Sequence, residues 1–250
     1  MSELLFARID DILQMAENGI FSYSDFLNES EAAKVRRYIS KPAEGIIYSF
    51  FGGFEDSERC RFFAYPDYYV FDDNKDCIRA VEIRGSGFAA LRHSSFLGAL
   101  TSLGIDRAKM GDIIISGNSA IVFVDEKIRD FLLSEPSPLQ RVGRDTVKVF
   151  DFEIPKDFGI KREYKEIFDT IASPRLDAAV SALANVAREK AKGLIVSGNV
   201  MLNYIEEQRP DVKIAENDIV TVRGIGKFRI TAVGEKTKKD RYRLNALKYI

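Results

Sequence analysis

Two cysteines, a single histidine and no long apolar run mark what this 250-residue chain lacks, and each shortage excludes something. Cys60 and Cys77 are too few and too isolated for a disulfide framework or a four-ligand zinc site, so both read as small hydrophobes in or near cores. His93 has no second histidine and no placed nucleophile beside it, which favours a polar residue at a helix start over a general base. No apolar stretch approaches the roughly 18–20 residues that span a bilayer. Met1-Ser2-Glu3 opens an acidic amphipathic segment rather than a basic leader, so a cytoplasmic protein without a membrane partner is expected. No Gly-x-Ser-x-Gly elbow surrounds Ser94 and Ser95, and Arg84-Gly85-Ser86-Gly87 lacks the Lys-Ser/Thr that completes a phosphate loop. The pairs Asp10-Asp11, Asp72-Asp73 and Glu206-Glu207 match no metal loop or glycosidase arrangement. No catalytic residue, metal, cofactor or small-molecule substrate is expected.

What the chain does have is enough apolar material for real cores, 46% hydrophobic against 30% charged side chains, over a length that suits one large domain or two to three small ones. Its net charge of −1 hides a division. From Thr170 to Ile250 there are 15 Lys plus Arg against 9 Asp plus Glu, a surplus of six cations, and the preceding residues carry a surplus of seven acids. Such asymmetry points to nucleic acid on the basic side, because cations that neutralise phosphates release condensed counterions.

Periodicity divides the chain into modules with an overall α+β character. Residues 1–70 form a small mixed domain: Leu4, Leu5, Ile9, Ile12, Leu13 and Ala16 recur at helix spacing, and a second helix from Ala32 to Ile39 stops before Lys41-Pro42. Two strands, Gly45–Phe51 and Arg59–Tyr65, follow around Gly52-Gly53. Residues 71–155 alternate as strand Ile78–Ile83, helix His93–Leu103, strands Asp112–Ser116 and Ala120–Val124, helix Glu126–Leu133 and strand Asp145–Phe152. That βαββαβ order is the ferredoxin-like arrangement also used by RNA-recognition domains. Ala120–Val124 lacks the basic, aromatic-alternating consensus of a base-stacking strand, so Phe123 is expected in a core. Residues 156–170 read as a charged, partly helical linker.

The basic module, 171–250, opens with Pro174 before a helix that places Leu176, Ala179, Val180 and Leu183 on one face. A second helix, Ala187 to Val196, buries Ala191, Leu194 and Ile195 and is expected to turn Arg188, Lys190 and Lys192 outward together. Gly198 ends it, and strands follow at Val200–Leu202, Asp218–Arg223, Lys227–Val233 and Arg241–Ile250. The expected RNA platform is Arg175, Arg188, Lys190, Lys192, Arg223 and Lys227, with Asn203 fixing a turn or donating a polar contact. Shape and phosphate contacts would supply its specificity for structured RNA.

From Arg175-Leu176-Asp177 through Arg188 and Gly198-Asn199-Val200 to Asp218 and Lys227, the chain resembles the S-four RNA-binding domain, two helices packed on a small β-sheet. The resemblance implies that Arg175, Arg188, Lys192 and the strand cations near Lys227 face structured RNA. Ala187, Tyr204 and Asn217 stand where that family commonly has Ser, Gly and Gly. Arg92-His93-Ser94-Ser95-Phe96-Leu97, Leu103-Gly104-Ile105-Asp106-Arg107, Arg141-Val142-Gly143-Arg144 and Gly52-Gly53-Phe54 extend a similarity to the YlmH-type proteins of bacteria over nearly the whole chain. That similarity implies a non-enzymatic RNA-binding protein on the ribosome, meeting rRNA and tRNA on the large subunit. Two rival readings remain, an RNA-modifying enzyme and a protein-interaction adaptor linked to cell division. Pseudouridine synthases carry their aspartate in Gly-Arg-Leu-Asp-x-x-Thr-x-Gly, which Arg175-Leu176-Asp177 imitates until Val180 and Ala182 replace the Thr and the last Gly.

Overall fold

The computed structural model describes residues 2–39, 44–70, 77–160, 162–237 and 240–250, in two compact units, 1–160 and 161–250. The described residues form a mixed α+β fold with three sheets. The helix stop expected at Lys41-Pro42 and the Asp72-Asp73 pair lie outside the described residues. Among the described residues no helix is long and apolar enough to cross a membrane.

In the first unit, helix α1 (Ser2–Glu17) buries Ile9, Ile12 and Ala16. The entry turn before α2 (Glu29–Tyr38) resolves into a capping box: Glu31 N–H donates to Asn28 Oδ1 and Asn28 N–H to Glu31 Oε2, both at 2.9 Å. Both helices pack on one face of a sheet of order β1-β3-β2, formed by β1 (Ser22–Tyr23), β2 (Ile46–Phe51) and β3 (Arg61–Pro66). Strand alternation sends Phe62 and Ala64 toward the helices and Phe63 and Tyr65 the other way. Cys60 lies in the helix-side core, where burial pushes its thiol up to about 11. Cys77 packs against the core on the sheet's other side.

A second sheet meets that other side. It contains β4 (Arg79–Gly85), β5 (Met110–Ser116), β6 (Ser119–Val124), β7 (Arg141–Val142) and β8 (Asp145–Phe152) in the order β5-β6-β4-β8-β7. β4 lies between β6 and β8 and antiparallel to both. Helices α3 (His93–Ser102) and α4 (Glu126–Leu133) cover one face through Phe96, Leu100 and Leu132 against Val81, Ile83, Val122 and Val124. The opposite face sends Ala80 and Phe123 into a cluster with Phe26, Phe54, Phe63 and Tyr65 of the first module. Phe123 is fully buried, as its strand pattern predicts, with its ring 5.0 Å from Phe54 and 5.7 Å from Phe158. Gly53 and Gly111 permit this approach, since a Cβ on either would lie 2.4 Å and 2.8 Å from the rings of Phe123 and Phe26 respectively. Polar groups lock the same contact. Arg59 donates from Nε to Met110 O and from Nη2 to Phe26 O and Arg107 O, while the backbone N–H groups of Glu58 and Arg59 donate to the Asp112 carboxylate.

At one end of the second sheet a buried carboxylate organises the loop after β4. Asp145 accepts from Ser86 Oγ, from Gly87 N–H at 3.1 Å and from Asn118 Nδ2 at 2.8 Å. The Ser86 hydroxyl, then Asn118 and the loop amides, outweigh burial and hold its pKa down to about 2. A folded-state pKa below the unfolded value of about 3.9 stabilises the fold above that value, and the stabilisation is lost as pH falls through the folded pKa. Melting temperatures of the full chain should therefore drop between about pH 4 and pH 2. The Asp145→Asn protein should show a flatter dependence in that window; an unchanged slope would refute the assignment.

The second unit is built on one antiparallel sheet of order β11-β10-β12-β13-β14-β9. Its strands are β9 (Tyr164–Ile171), β10 (Val200–Leu202), β11 (Ile205–Glu206), β12 (Ile219–Val222), β13 (Gly226–Lys236) and β14 (Tyr242–Tyr249). Helices α5 (Leu176–Leu183) and α6 (Arg188–Val196) pack on one face over Val220, Val222, Phe228, Ile230, Leu244 and Ala246. The expected partly helical linker at 156–170 is corrected here: Tyr164–Ile171 is an edge strand paired residue for residue with β14. Only Ile167 and Ile171 of β9 join the core, so its alternation is too weak to register as a strand in sequence.

Candidate nucleic-acid interface

The N-termini of α5 and α6 meet around one carboxylate. Leu176 and Asp177 donate their backbone N–H groups to Val212 O and Pro210 O, which docks the start of α5 on the Pro210–Ile214 segment. Asp177, in the first turn, has no exposed surface. Its Oδ1 accepts from Arg175 Nε at 3.2 Å and from Ala178 N–H at 3.0 Å; Arg188 donates from Nε to Oδ2 at 3.0 Å and from Nη2 to Oδ1 at 3.2 Å. Burial pushes the Asp177 pKa up, and the bonds and charges of Arg188 and Arg175 override it, leaving the carboxylate below its ordinary range. Arg175 and Arg188 are thus fixed from one side and open to solvent on the other, at 40% and 42% side-chain exposure.

The remaining platform residues do not share one face. Lys192 lies on the Arg188 flank of α6 and is paired with Glu189 at 2.8 Å. Lys190 is exposed on the other flank, because residues two positions apart on an α-helix stand about 160° from each other. The expectation that the three cations point outward together is corrected accordingly. Arg223 is exposed in the turn after β12, and its N–H donates to Asn199 O beside the C-terminal end of α6. Asn203 serves the turn: its Nδ2 donates to Asp218 Oδ1 and its Oδ1 accepts from Ile219 N–H, both at 2.8 Å. Lys227 alternates with the core residue Phe228, so it projects from the sheet face away from α5 and α6.

On that outer face Lys227 joins residues that sequence reasoning missed. Its Nζ lies 4.9 Å from the Tyr249 ring centre and 5.3 Å from that of Tyr204. Arg229 stands over Tyr164 at 5.7 Å and Arg162 over Tyr249 at 5.8 Å, and the two tyrosine rings meet edge to face at 5.1 Å. The signal existed in the alternation Tyr164, Glu166, Phe168 of β9, and it is legible only once that segment is read as a strand. Tyr204 follows Asn203 in the two-residue turn joining β10 to β11, with φ of +51° for Asn203 and +65° for Tyr204. Turns of this kind favour Asn and Gly at those positions.

In the first unit, the face of the second sheet that RNA-recognition folds leave open is partly covered by the Phe123 cluster. Its uncovered part carries exposed Phe150 with the Arg84 guanidinium 4.4 Å above the ring, and exposed Lys148 opposite Arg84 across the β4–β8 pair. His93 is exposed at the first position of α3. Among the described residues no cluster of His, Cys, Asp and Glu could hold a metal ion.

The family described as "Putative RNA-binding domain in YlmH" matches residues 75–156. A curated relative, "Ribosome-associated protein quality control protein P2" of Bacillus subtilis (strain 168), is 30% identical over 223 residues, which cover 88% of this chain and 84% of that protein. The chain belongs to the YlmH-type family. A solved structure titled "Cell division protein ylmH from Streptococcus pneumoniae" is 21% identical with a TM-score of 0.49, covering 60% of this chain and 90% of that one. The segment matched as the YlmH RNA-binding domain contains all of the second sheet, with both Phe150 and the buried Phe123. The cations around α6 lie outside it.

Proposed function

We propose that this chain is a non-catalytic, cytoplasmic RNA-binding protein that works on the ribosome, gripping structured rRNA or tRNA on the large subunit. The observation that carries this reading is its similarity over nearly its whole length to a protein named for ribosome-associated quality control. The cations of the 171–250 module, read as an S-four domain, supply the chemistry. Arg175 and Arg188, held by Asp177, present fixed guanidinium edges suited to phosphate oxygens. Lys190, Lys192 and Arg223 extend the charge along α6 and past its end. The Phe150 and Arg84 edge of the second sheet would serve as the contact of the 75–156 segment.

Binding through about four phosphates should weaken with salt along a log-log slope of roughly −3 to −4. Filter binding to ribosomal RNA across a salt series measures that slope, and a salt-independent interaction would sink the proposal. Lys190→Glu combined with Arg223→Glu should abolish co-sedimentation with large subunits; retained co-sedimentation would favour the adaptor reading. The modifying-enzyme reading needs a carboxylate able to reach a base, whereas Asp177 is buried with its oxygens taken by two guanidinium groups and an amide. Nucleoside mass analysis of RNA incubated with the protein should show no new product.

A further inference from the structure

We propose that the outer face of the six-stranded sheet is a second RNA surface, on which Tyr164, Tyr204 and Tyr249 stack unpaired bases while Arg162, Lys227 and Arg229 meet the adjoining phosphates. It rests on the RNA-binding reading and goes beyond it, assigning a surface on the side away from α5 and α6 and a state of RNA, unpaired nucleotides.

Three observations carry it. The rings are fixed before any ligand arrives: Lys227 Nζ sits near both Tyr204 and Tyr249, Arg229 and Arg162 cover Tyr164 and Tyr249, and those two rings touch edge to face. A prearranged aromatic surface loses little freedom on binding. The second is charge. Across the strand ends Tyr164–Phe168, Lys227–Arg229 and Asn245–Tyr249, alternation puts only one carboxylate, Glu166, on this face, against Lys227, Arg229 and the adjacent Arg162. The third is backbone strain. Tyr204 occupies the left-handed region at φ +65°, where a bulky side chain is an outlier, and its ring is the part that reaches Lys227.

Interleaved cations and aromatic rings are the arrangement by which proteins hold single-stranded nucleic acid, with rings taking base faces and cations the backbone. Base-paired RNA hides its base faces within the stack, so the tyrosines select unpaired nucleotides. Phe168, 69% exposed further along the same face of β9, offers a further ring in the same direction.

The test uses the full chain with a fluorescein-labelled uridine oligonucleotide and, in parallel, a blunt RNA duplex. Tyr164→Leu combined with Tyr249→Leu should weaken oligouridine binding about tenfold or more and leave duplex binding and the salt slope unchanged. Tyr249→Phe, which keeps the ring, should bind as the parent does. Oligouridine affinity within about twofold of the parent in a Leu double variant that melts normally would overturn the proposal. Should that variant melt abnormally, ultraviolet crosslinking of the parent decides: peptides containing Tyr164, Tyr204 or Tyr249 uphold it, and crosslinks confined elsewhere overturn it. Duplex binding without any oligouridine binding also overturns it, leaving a protein as the occupant of this face while the RNA-binding reading stands. Failure to bind either RNA removes both.

Discussion

Phe123→Ala should cost the first unit about 3–5 kcal/mol of unfolding free energy, the range for deleting a large aromatic from a packed core. Its ring fills the space between Phe54 and Phe158, and Gly53 and Gly111 exist in forms that let it approach, so little neighbouring side chain can collapse into the hole. Urea unfolding followed by circular dichroism measures the loss. RNA affinity, taken where the variant remains folded, should not change, because Phe123 has no exposed surface. The opposite pattern, intact stability with weakened RNA binding, would restore Phe123 as a base-stacking residue and contradict the fold.

Asp177→Ala comes next, with an expected loss of about 2–4 kcal/mol from the 161–250 unit. Removing one member of a buried ion pair costs about 3–5 kcal/mol when the remaining charge is stranded. The lower range applies because Arg175 and Arg188 are 40% and 42% exposed and can return to water. The pH dependence has a definite sign. The folded Asp177 pKa lies below its unfolded value of about 3.9, so its contribution is complete above that pH and fades as acid approaches the folded pKa. Asp177→Ala should remove that fading from unfolding curves of this unit, and a variant as stable as the parent would refute the ion cluster. Arg188→Glu would place a second carboxylate beside Asp177 and disrupt the helix pair. Lys190 and Arg223, which take no part in the Asp177 cluster, are the cleaner positions for reversing charge.

Legibility followed burial. Long elements with one clean apolar face were readable: α4 and β8 carry the bounds their periodicity predicts, and α3, α5 and α6 lie within a residue or two of theirs. β9 was not, because an edge strand contributes two isoleucines to the core and exposes Phe168. Within the candidate site, residue type and spacing put forward Arg175, Arg188, Lys192 and Asn203; the carboxylate that gathers Arg175 and Arg188 and the turn bonds of Asn203 come from the fold. The flanks of α6 were legible too, because residues two apart on an α-helix stand about 160° from each other, which separates Lys190 from Lys192. The tyrosine array was hidden by distance in sequence. Tyr164, Tyr204 and Tyr249 come from three elements, and only the strand order β12-β13-β14-β9 makes neighbours of two of them. The polar lock of Arg59 on Met110, Phe26 and Arg107 is likewise a product of tertiary contact.

The pairing of β9 with β14 has a consequence for synthesis. Tyr164 lies opposite Tyr249, so the strand made first in this unit finds its partner only after the other strands and both helices have been translated. Ribosomes add about 5–20 residues per second and domains tend to fold as they emerge. For several seconds β9 therefore waits with the hydrogen-bonding edge that β14 will take uncovered, while the first unit, a compact body of residues 1–160, is already free to fold. The unit that carries the basic helix α6 becomes competent last, when its edge strand is finally claimed by β14.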